Sequence, residues 1–459
     1  YFIISLFFIY IFLNLIYVKN LDFRKFINNG YSKIEKIFFA TPALYYHEIE
    51  SKLLLEEKNM SRELSYLERE INESHFLNFS KKNIKIESHK YNGRNMKAVA
   101  FIDFFEDKLF IVNGVGKISF ANIADDYSNN NFEMTPISSN IKDVIKNKFF
   151  YEIGTGSRQS QFDSISDILI HDGYIYLSFN RLVKDNCYTK SIIRSKINFN
   201  FLKFEDFFFN KDECREYDEN KKRFNGHQSG GRMIYIDKES PHNIFNYSSD
   251  KLLFSVGDFR SNKSNNIPLA SDDRSIFGKI LLIDLENQEY KIFSKGHRNP
   301  QGLYYDKEDK IILSTEHGPY GGDEINLISA GKNYGWPISS YGENYPDNNK
   351  DRVKDNFEFE KSHSDFGYEE PIFAFTKSLG ISEIIKVPDD FNHKWKNSFL
   401  AATLNGHIIV RFNLDNTLEN LQTAEFIYVG ERIRDIKISK NKIYVILENS
   451  AELAIYSIE

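Results

Sequence analysis

Three clusters in the second half of the chain carry side chains whose types and spacing suit chemistry. The densest begins at Gly296-His297-Arg298-Asn299-Pro300-Gln301-Gly302. It continues through Glu316-His317-Gly318-Pro319 and Gly321-Gly322-Asp323-Glu324-Ile325-Asn326, and ends in Gly331-Lys332-Asn333-Tyr334-Gly335-Trp336-Pro337. Its glycines allow close backbone approach, its guanidinium suits carboxylate or carbonyl oxygens, and amides stand beside it. The run therefore reads as a rim able to bind an anion and a metal ion. A second cluster, Gly226-His227-Gln228-Ser229-Gly230-Gly231-Arg232, sets a histidine at the start of a strand. In the third, Glu431-Arg432-Ile433-Arg434-Asp435, two arginines at period two project from one strand face. Like charges side by side call for an anion.

Strands must position these groups. Across 459 residues, 41 Phe and 27 Tyr against 4 Met favour pleated, half-buried surfaces. From about Met96 onward, short apolar runs are broken by Asn, Asp and Gly turns. Six units recur, at 99–120, 168–197, 233–283, 302–328, 384–412 and 433–458. A four-stranded unit cannot bury both faces alone, so the repeat predicts an all-β, six-bladed β-propeller with the site in loops on one face. A pair of β-sandwiches is the alternative. With 41% hydrophobic and 27% charged residues the composition is globular, and a net charge of −6 with interleaved lysines and acids argues against a nucleic-acid partner.

Upstream the texture differs. Residues 1–18 hold no charge and only Ser5 and Asn14 as strongly polar side chains, long enough for a membrane helix. A cleaved signal segment is the alternative reading. Lys19, Arg24 and Lys25 taken alone would keep the following domain in the cytoplasm, so a periplasm-facing domain requires positive charge before Tyr1. Between Ser51 and Asn72, Leu54, Leu55, Leu64, Leu67 and Ile71 fall near helical spacing. The expected organisation is an anchor or signal at 1–18, a helical stalk at 19–92 and a propeller at 93–459. Cys187 and Cys214 have no metal-type spacing. They are either one disulfide across a blade insertion or two free thiols.

From about Gly226 to the C-terminus these motifs resemble the soluble PQQ-dependent glucose/sorbosone (aldose sugar) dehydrogenase family, with weaker likeness from about Met96. Three separated motifs between Gly296 and Pro337 occur in family order. The resemblance implies a quinoprotein that oxidises a sugar or related polyol with pyrroloquinoline quinone (PQQ) and Ca2+. His227 matches the general base, a task imidazole suits because it titrates near neutrality when unperturbed. Arg298 matches the arginine facing the reactive quinone carbonyl, and Asn299 and Gln301 fall at cofactor-contacting amides. Gly318 and Pro319 match the pair whose backbone carbonyls hold calcium, with Asp323 and Glu324 as further carboxylates that either join them or order the loop. Arg432 and Arg434 match the pair that binds cofactor carboxylates.

The chain also departs from that pattern. Asn405 stands where the family has a lysine, Gly226 where an acid precedes the base, and Phe259 where a glutamine is expected; Gln159 and Gln161 lie near another expected glutamine. The implied partners are a sugar, an electron acceptor such as a cytochrome or quinone, and the inner membrane, on its periplasmic side. The alternative function is a non-catalytic propeller that serves as a binding scaffold of the cell envelope.

Overall fold

Two-residue turns with positive φ at both positions, Asp172-Gly173 and Lys440-Asn441, fold the flanking apolar runs into tight hairpins. Such turns carry the twist that antiparallel strands prefer. The computed structural model describes residues 79–85, 90–91, 94–95, 99–123, 134–145, 165–184, 186–216, 226–244, 249–260, 263–264, 267–345 and 358–458. All of them belong to the second of two compact units, Asn78–Glu459.

Six sheets of four or five strands form the blades. Blade 1 comprises Ala100–Phe105, Lys108–Asn113, Ile118–Asn122 and Thr135–Ser139, with Phe201–Leu202 added in parallel at its edge. Blade 2 comprises Ile165–His171, Tyr174–Lys184, Cys187–Lys196 and Glu205–Phe209. Blade 3 is built from Gly230–Ile236, Lys251–Val256, Lys279–Asp284 and Tyr290–Lys295. Pro300–Asp306, Ile311–Glu316, Asp323–Leu327 and Phe373–Phe375 form blade 4. Ile381–Lys386, Phe399–Thr403, Ile408–Leu414 and Leu421–Tyr428 form blade 5. Blade 6 takes Ile433–Ser439, Lys442–Leu447 and Glu452–Ile458 from the C-terminus and Phe79–Lys85 from upstream of blade 1. The first strand of each blade touches the first strand of the next, and blade 6 returns to blade 1, so the inner strands close a ring.

The core lies between blades. One cluster joins Tyr176, Tyr188 and Ile192 of blade 2 to Met233, Phe254 and Leu281 of blade 3, and another joins Ala100 and Leu109 of blade 1 to Tyr444 and Leu453 of blade 6. Polar staples reinforce the inner ring. Asp103 accepts from the Ile170 amide (2.6 Å), Asp167 from Met233 (2.8 Å) and Asp435 from Ile102 (2.8 Å), each carboxylate crossing to another blade.

The strand Phe79–Lys85 corrects the expected organisation, since it lies inside the stretch read as helical and starts the propeller upstream of residue 93. Three C-terminal strands would leave blade 6 with an open edge of unpaired backbone groups, and Phe79–Lys85 pairs along Glu452–Ile458 to cover it. The apolar run at 1–18, the amphipathic pattern at 51–72, Gln159 and Gln161 lie outside the described residues. Among the described residues no helix is long and apolar enough to cross a membrane. Cys187 and Cys214 form a disulfide with a Cα–Cα distance of 5.4 Å, which selects the first of the two readings.

Candidate active site

In an antiparallel meander the turns before the inner strands and the turns between second and third strands share one face. His227, Arg298, Asn299 and Arg432 precede inner strands, while His317, Gly318, Pro319 and Glu448 lie in second-to-third turns. Blades 3, 4 and 6 of the propeller therefore contribute to one face.

Arg298 is the best-fixed of these groups and is 4% exposed. The Glu316 carboxylate accepts from the Arg298 amide and from the Asn299 amide (3.2 Å), and it also meets His297 Nδ1 (3.0 Å). That carboxylate shapes the turn that aims the guanidinium. Arg298 Nη1 donates to the His317 carbonyl (2.9 Å), so Gly318 and Pro319 follow directly on a residue that Arg298 holds. Its guanidinium carbon sits 5.2 Å over the Trp336 ring. In the amide orientation that satisfies both neighbours, Gln228 accepts from Arg298 Nη2 (2.7 Å) and donates to Asp258 (2.9 Å). His227, exposed at the rim, is the residue next to that amide.

Across the axis Arg432 Nε and Arg434 Nε donate to opposite oxygens of Glu448, at 2.7 and 2.6 Å. Against the effect of burial, Arg434 and Arg432 hold the Glu448 carboxyl below its usual range. Burial, with Arg432 alongside, pushes Arg434 down from the usual guanidinium value. Arg434 Nη1 reaches Gln301 Oε1 (3.3 Å), Gln301 Nε2 reaches Asn299 Oδ1 (3.0 Å), and Asn299 Oδ1 accepts from the Gly230 amide (3.1 Å). The expected cofactor residues Arg298, Asn299, Gln301, Arg432 and Arg434 are thus joined in the floor and walls of one site.

The site has unused capacity. Arg298 Nε and His317 Nε2 are buried without a hydrogen-bond partner, and Arg298 makes no ion pair among the described residues. Burial, then Arg298, Arg434 and Arg432 push the His317 imidazole down to about 3, so three cations converge on a neutral ring. A polyanionic, planar ligand with carbonyl and carboxylate oxygens matches that donor set. PQQ has this chemistry, and the residues fit it.

Other expectations fare differently. Asp323 is fully buried and accepts from the amides of Gly318 (3.0 Å), Gly380 and Ile381 (3.2 Å), which orders the loop. Burial pushes its carboxyl up to about 6. Glu324 meets Asn326 Nδ2 (3.2 Å) and lies 3.6 Å from His363, and burial raises it well above the usual carboxylate range. Among the described residues no three His, Cys, Asp or Glu side chains are grouped to hold a metal. Asn405 Nδ2 donates to the Ser378 carbonyl (2.9 Å). Phe259, where a glutamine is expected, is a core residue, its ring fully buried against Phe277 (4.6 Å between centroids). Sequence reasoning missed Glu448, Asp258, Gln228, Glu316 and Trp336 as site residues. The last three stand inside the quoted motifs, whereas Glu448 ends an ordinary apolar strand and carries no local signal.

The fold and the site together define a closed six-bladed β-propeller with arginines gathered on its axial face. The chain belongs to the Glucose / Sorbosone dehydrogenase family, whose model matches residues 167–456. Among its relatives, the aldose sugar dehydrogenase YliI of Escherichia coli (strain K12) is 26% identical over 249 residues, covering 50% of this chain and 59% of the relative. Quinoprotein glucose dehydrogenase B of Acinetobacter calcoaceticus is 34% identical over 127 residues, 24% of this chain and 26% of the relative. The chain thus spans less than two thirds of the length of these curated relatives. The soluble aldose sugar dehydrogenase of Escherichia coli in its apo form has a similar fold, with a TM-score of 0.59 at 18% identity over 83% of this chain and 100% of that one. The PQQ-bound aldose sugar dehydrogenase of Streptomyces coelicolor gives 0.52 at 16% identity, over 83% and 99%.

Proposed function

We propose that the chain is a PQQ- and calcium-dependent sugar dehydrogenase acting on an aldose or a related polyol or aldehyde. The observation that carries this reading is the convergence of Arg298, Arg432 and Arg434 on one face, with Glu448 as the one carboxylate paired with them among the described residues. Family membership and the PQQ-bound relative of the same fold support it. When bound, PQQ supplies a hydride-accepting quinone and calcium a Lewis acid.

The chain's own residues do the rest. Arg432 and Arg434 would hold the cofactor carboxylates, Asn299 and Gln301 would fix its orientation, and the Gly318 and Pro319 carbonyls would offer calcium neutral oxygen ligands. His227 takes the proton from the substrate hydroxyl as the carbon is oxidised. Arg298, held by the His317 carbonyl and Gln228, keeps a fixed positive charge where negative charge develops, and needs no reorganisation to do so.

A cytochrome or membrane quinone would then take up the electrons. We place the domain on the periplasmic side of the inner membrane, tethered through 1–18 or released if that run is cleaved, and the Cys187–Cys214 disulfide fits an oxidising compartment. Reconstitution with PQQ and calcium, read by thermal unfolding and by dye-linked oxidation of an aldose panel, tests the whole reading. A raised unfolding temperature together with sugar-dependent dye reduction is expected, because ligands that bind only the folded state stabilise it. No shift at saturating PQQ and calcium would overturn it. A second reading, a propeller retained as an envelope scaffold, draws on Asn405, whose amide is bound to the Ser378 carbonyl where the family has a charged lysine. Tight PQQ binding without oxidation of any aldose, alcohol or aldehyde would favour the scaffold.

A further inference from the structure

We infer that Arg232 is a positioning residue, a single guanidinium at the propeller axis that sets the floor of the cofactor site by tying the inner strands of all six blades together. It stands on the inner strand of blade 3 and is 3% exposed. Its guanidinium carbon lies 5.0 Å over the Phe101 ring of blade 1. Nη1 meets Asp167 of blade 2 (2.9 Å), Glu383 of blade 5 (2.9 Å) and Asp435 of blade 6 (3.1 Å). Nε donates to the Gln301 carbonyl of blade 4 (2.7 Å), and Nη2 donates to the Arg434 carbonyl of blade 6 (3.0 Å).

The last two bonds connect this hub to the site. Gln301 and Arg434 turn their carbonyls down to Arg232 and meet side chain to side chain above it, Arg434 Nη1 to Gln301 Oε1 at 3.3 Å. Gln301 passes the constraint to Asn299, and Asn299 to Gly230, two residues before Arg232 itself. The guanidinium therefore closes a loop of contacts under the groups that would hold the cofactor. Only a planar fork with five N–H groups can reach acceptors on opposite sides of the axis; an ammonium offers its donors from one point.

The charge balance makes the hub depend on Arg232. Among the described residues Arg232 pairs with Asp167, Glu383 and Asp435, while Lys437 lies 3.7 Å from Glu383 and also acts on Asp103, Asp167 and Asp435. Burial raises the carboxyls of Asp103, Asp167 and Glu383, and Arg232 opposes this at Asp167 and Glu383. Loss of that guanidinium would leave carboxylates facing one another across the axis and free the two carbonyls.

This role rests on the PQQ reading for its ligand but not for its geometry, so two measurements separate them. The variants are Arg232→Met and Arg232→Lys, the second as the one more able to fold. A control, Lys251→Met, breaks the buried Lys251–Asp284 pair (2.9 Å) within blade 3. In crystal structures of the cofactor-free variants, the Gln301 amide and the Arg434 guanidinium should be displaced from their parental positions. Superimposable positions would overturn the role. In titrations with PQQ and calcium, the Arg232 variants should bind about 10–100-fold more weakly, the range for groups that orient direct ligands, while a Lys251→Met protein of similar unfolding temperature keeps the parental affinity. Parental affinity in Arg232→Lys, or equal losses in the control, would overturn it. If the parent itself binds no PQQ, the cofactor reading falls and the crystallographic comparison alone decides on Arg232.

Discussion

The Trp336 indole N–H donates to Asp258 Oδ2 at 2.8 Å across 78 residues of sequence, joining the long insertion of blade 4 to a turn of blade 3. The same ring lies under the Arg298 guanidinium, so a carboxylate holds its edge and a cation covers its face. Asp258 is fully buried and its amide donates to the Arg298 carbonyl (2.9 Å), which closes the contact between the two blades.

Trp336→Phe keeps an aromatic face for Arg298 but removes the donor to Asp258. A buried carboxylate oxygen deprived of its partner should destabilise the fold by about 1–3 kcal/mol. Urea unfolding of parent and variant measures this, and equal midpoints with equal slopes would show that the bond contributes nothing.

Changing Arg432 or Arg434 to Ala should weaken PQQ binding by about 1.5–3 kcal/mol, the range for hydrogen bonds to charged groups. The double variant also strands the Glu448 carboxylate, which is 1% exposed, so stability should fall with affinity. Adding Glu448→Gln should restore much of the stability and none of the affinity. Recovery of both together would mean that the arginines serve only to neutralise Glu448.

His227→Gln retains hydrogen-bonding capacity but accepts no proton near neutrality. Turnover should fall by about 10²–10⁴-fold while the PQQ dissociation constant barely moves. Parental turnover in the variant would remove His227 from the mechanism.

Two buried lysines make stability rise with pH. Lys190 donates to Ser166 (2.6 Å), Asn180 (3.0 Å) and Ser229 (3.3 Å), and Lys279 to the carbonyls of Leu269 (3.0 Å) and Phe277 (2.9 Å). Burial pushes both ammonium groups down to about 7 from an ordinary 10.5. Between those values the unfolded chain binds the protons and the folded chain does not, so stability increases from about pH 7 toward pH 10. Below pH 7 both states are protonated, and the folded one bears the full cost of burial. Unfolding temperatures of the parent and of Lys190→Met/Lys279→Met from pH 6 to 9.5 test this. The parent should gain relative to the variant as pH rises, and parallel curves would count against it.

The sequence by itself determined the repeat and most of the site. Six β-rich units, the run from Gly296 to Pro337 and the paired arginines Arg432 and Arg434 are local patterns of alternation, turn chemistry and charge, and each was legible without coordinates. Tertiary structure decided what depends on partners distant in sequence. Phe79–Lys85 has little strand character in its own residues and becomes a strand because blade 6 offers an open edge. Phe259 sits in the core because a buried phenyl ring gains more from Phe277 than from solvent. Glu448 follows an ordinary strand, and only the antiparallel register of the first two strands of blade 6 brings it between both arginines. Arg232 reads in sequence as one basic residue after a glycine pair. Its contacts with five other blades exist only once the inner strands meet at the axis, because hydrogen bonds and ion pairs depend on distance in space and no linear pattern encodes a meeting of six separate segments.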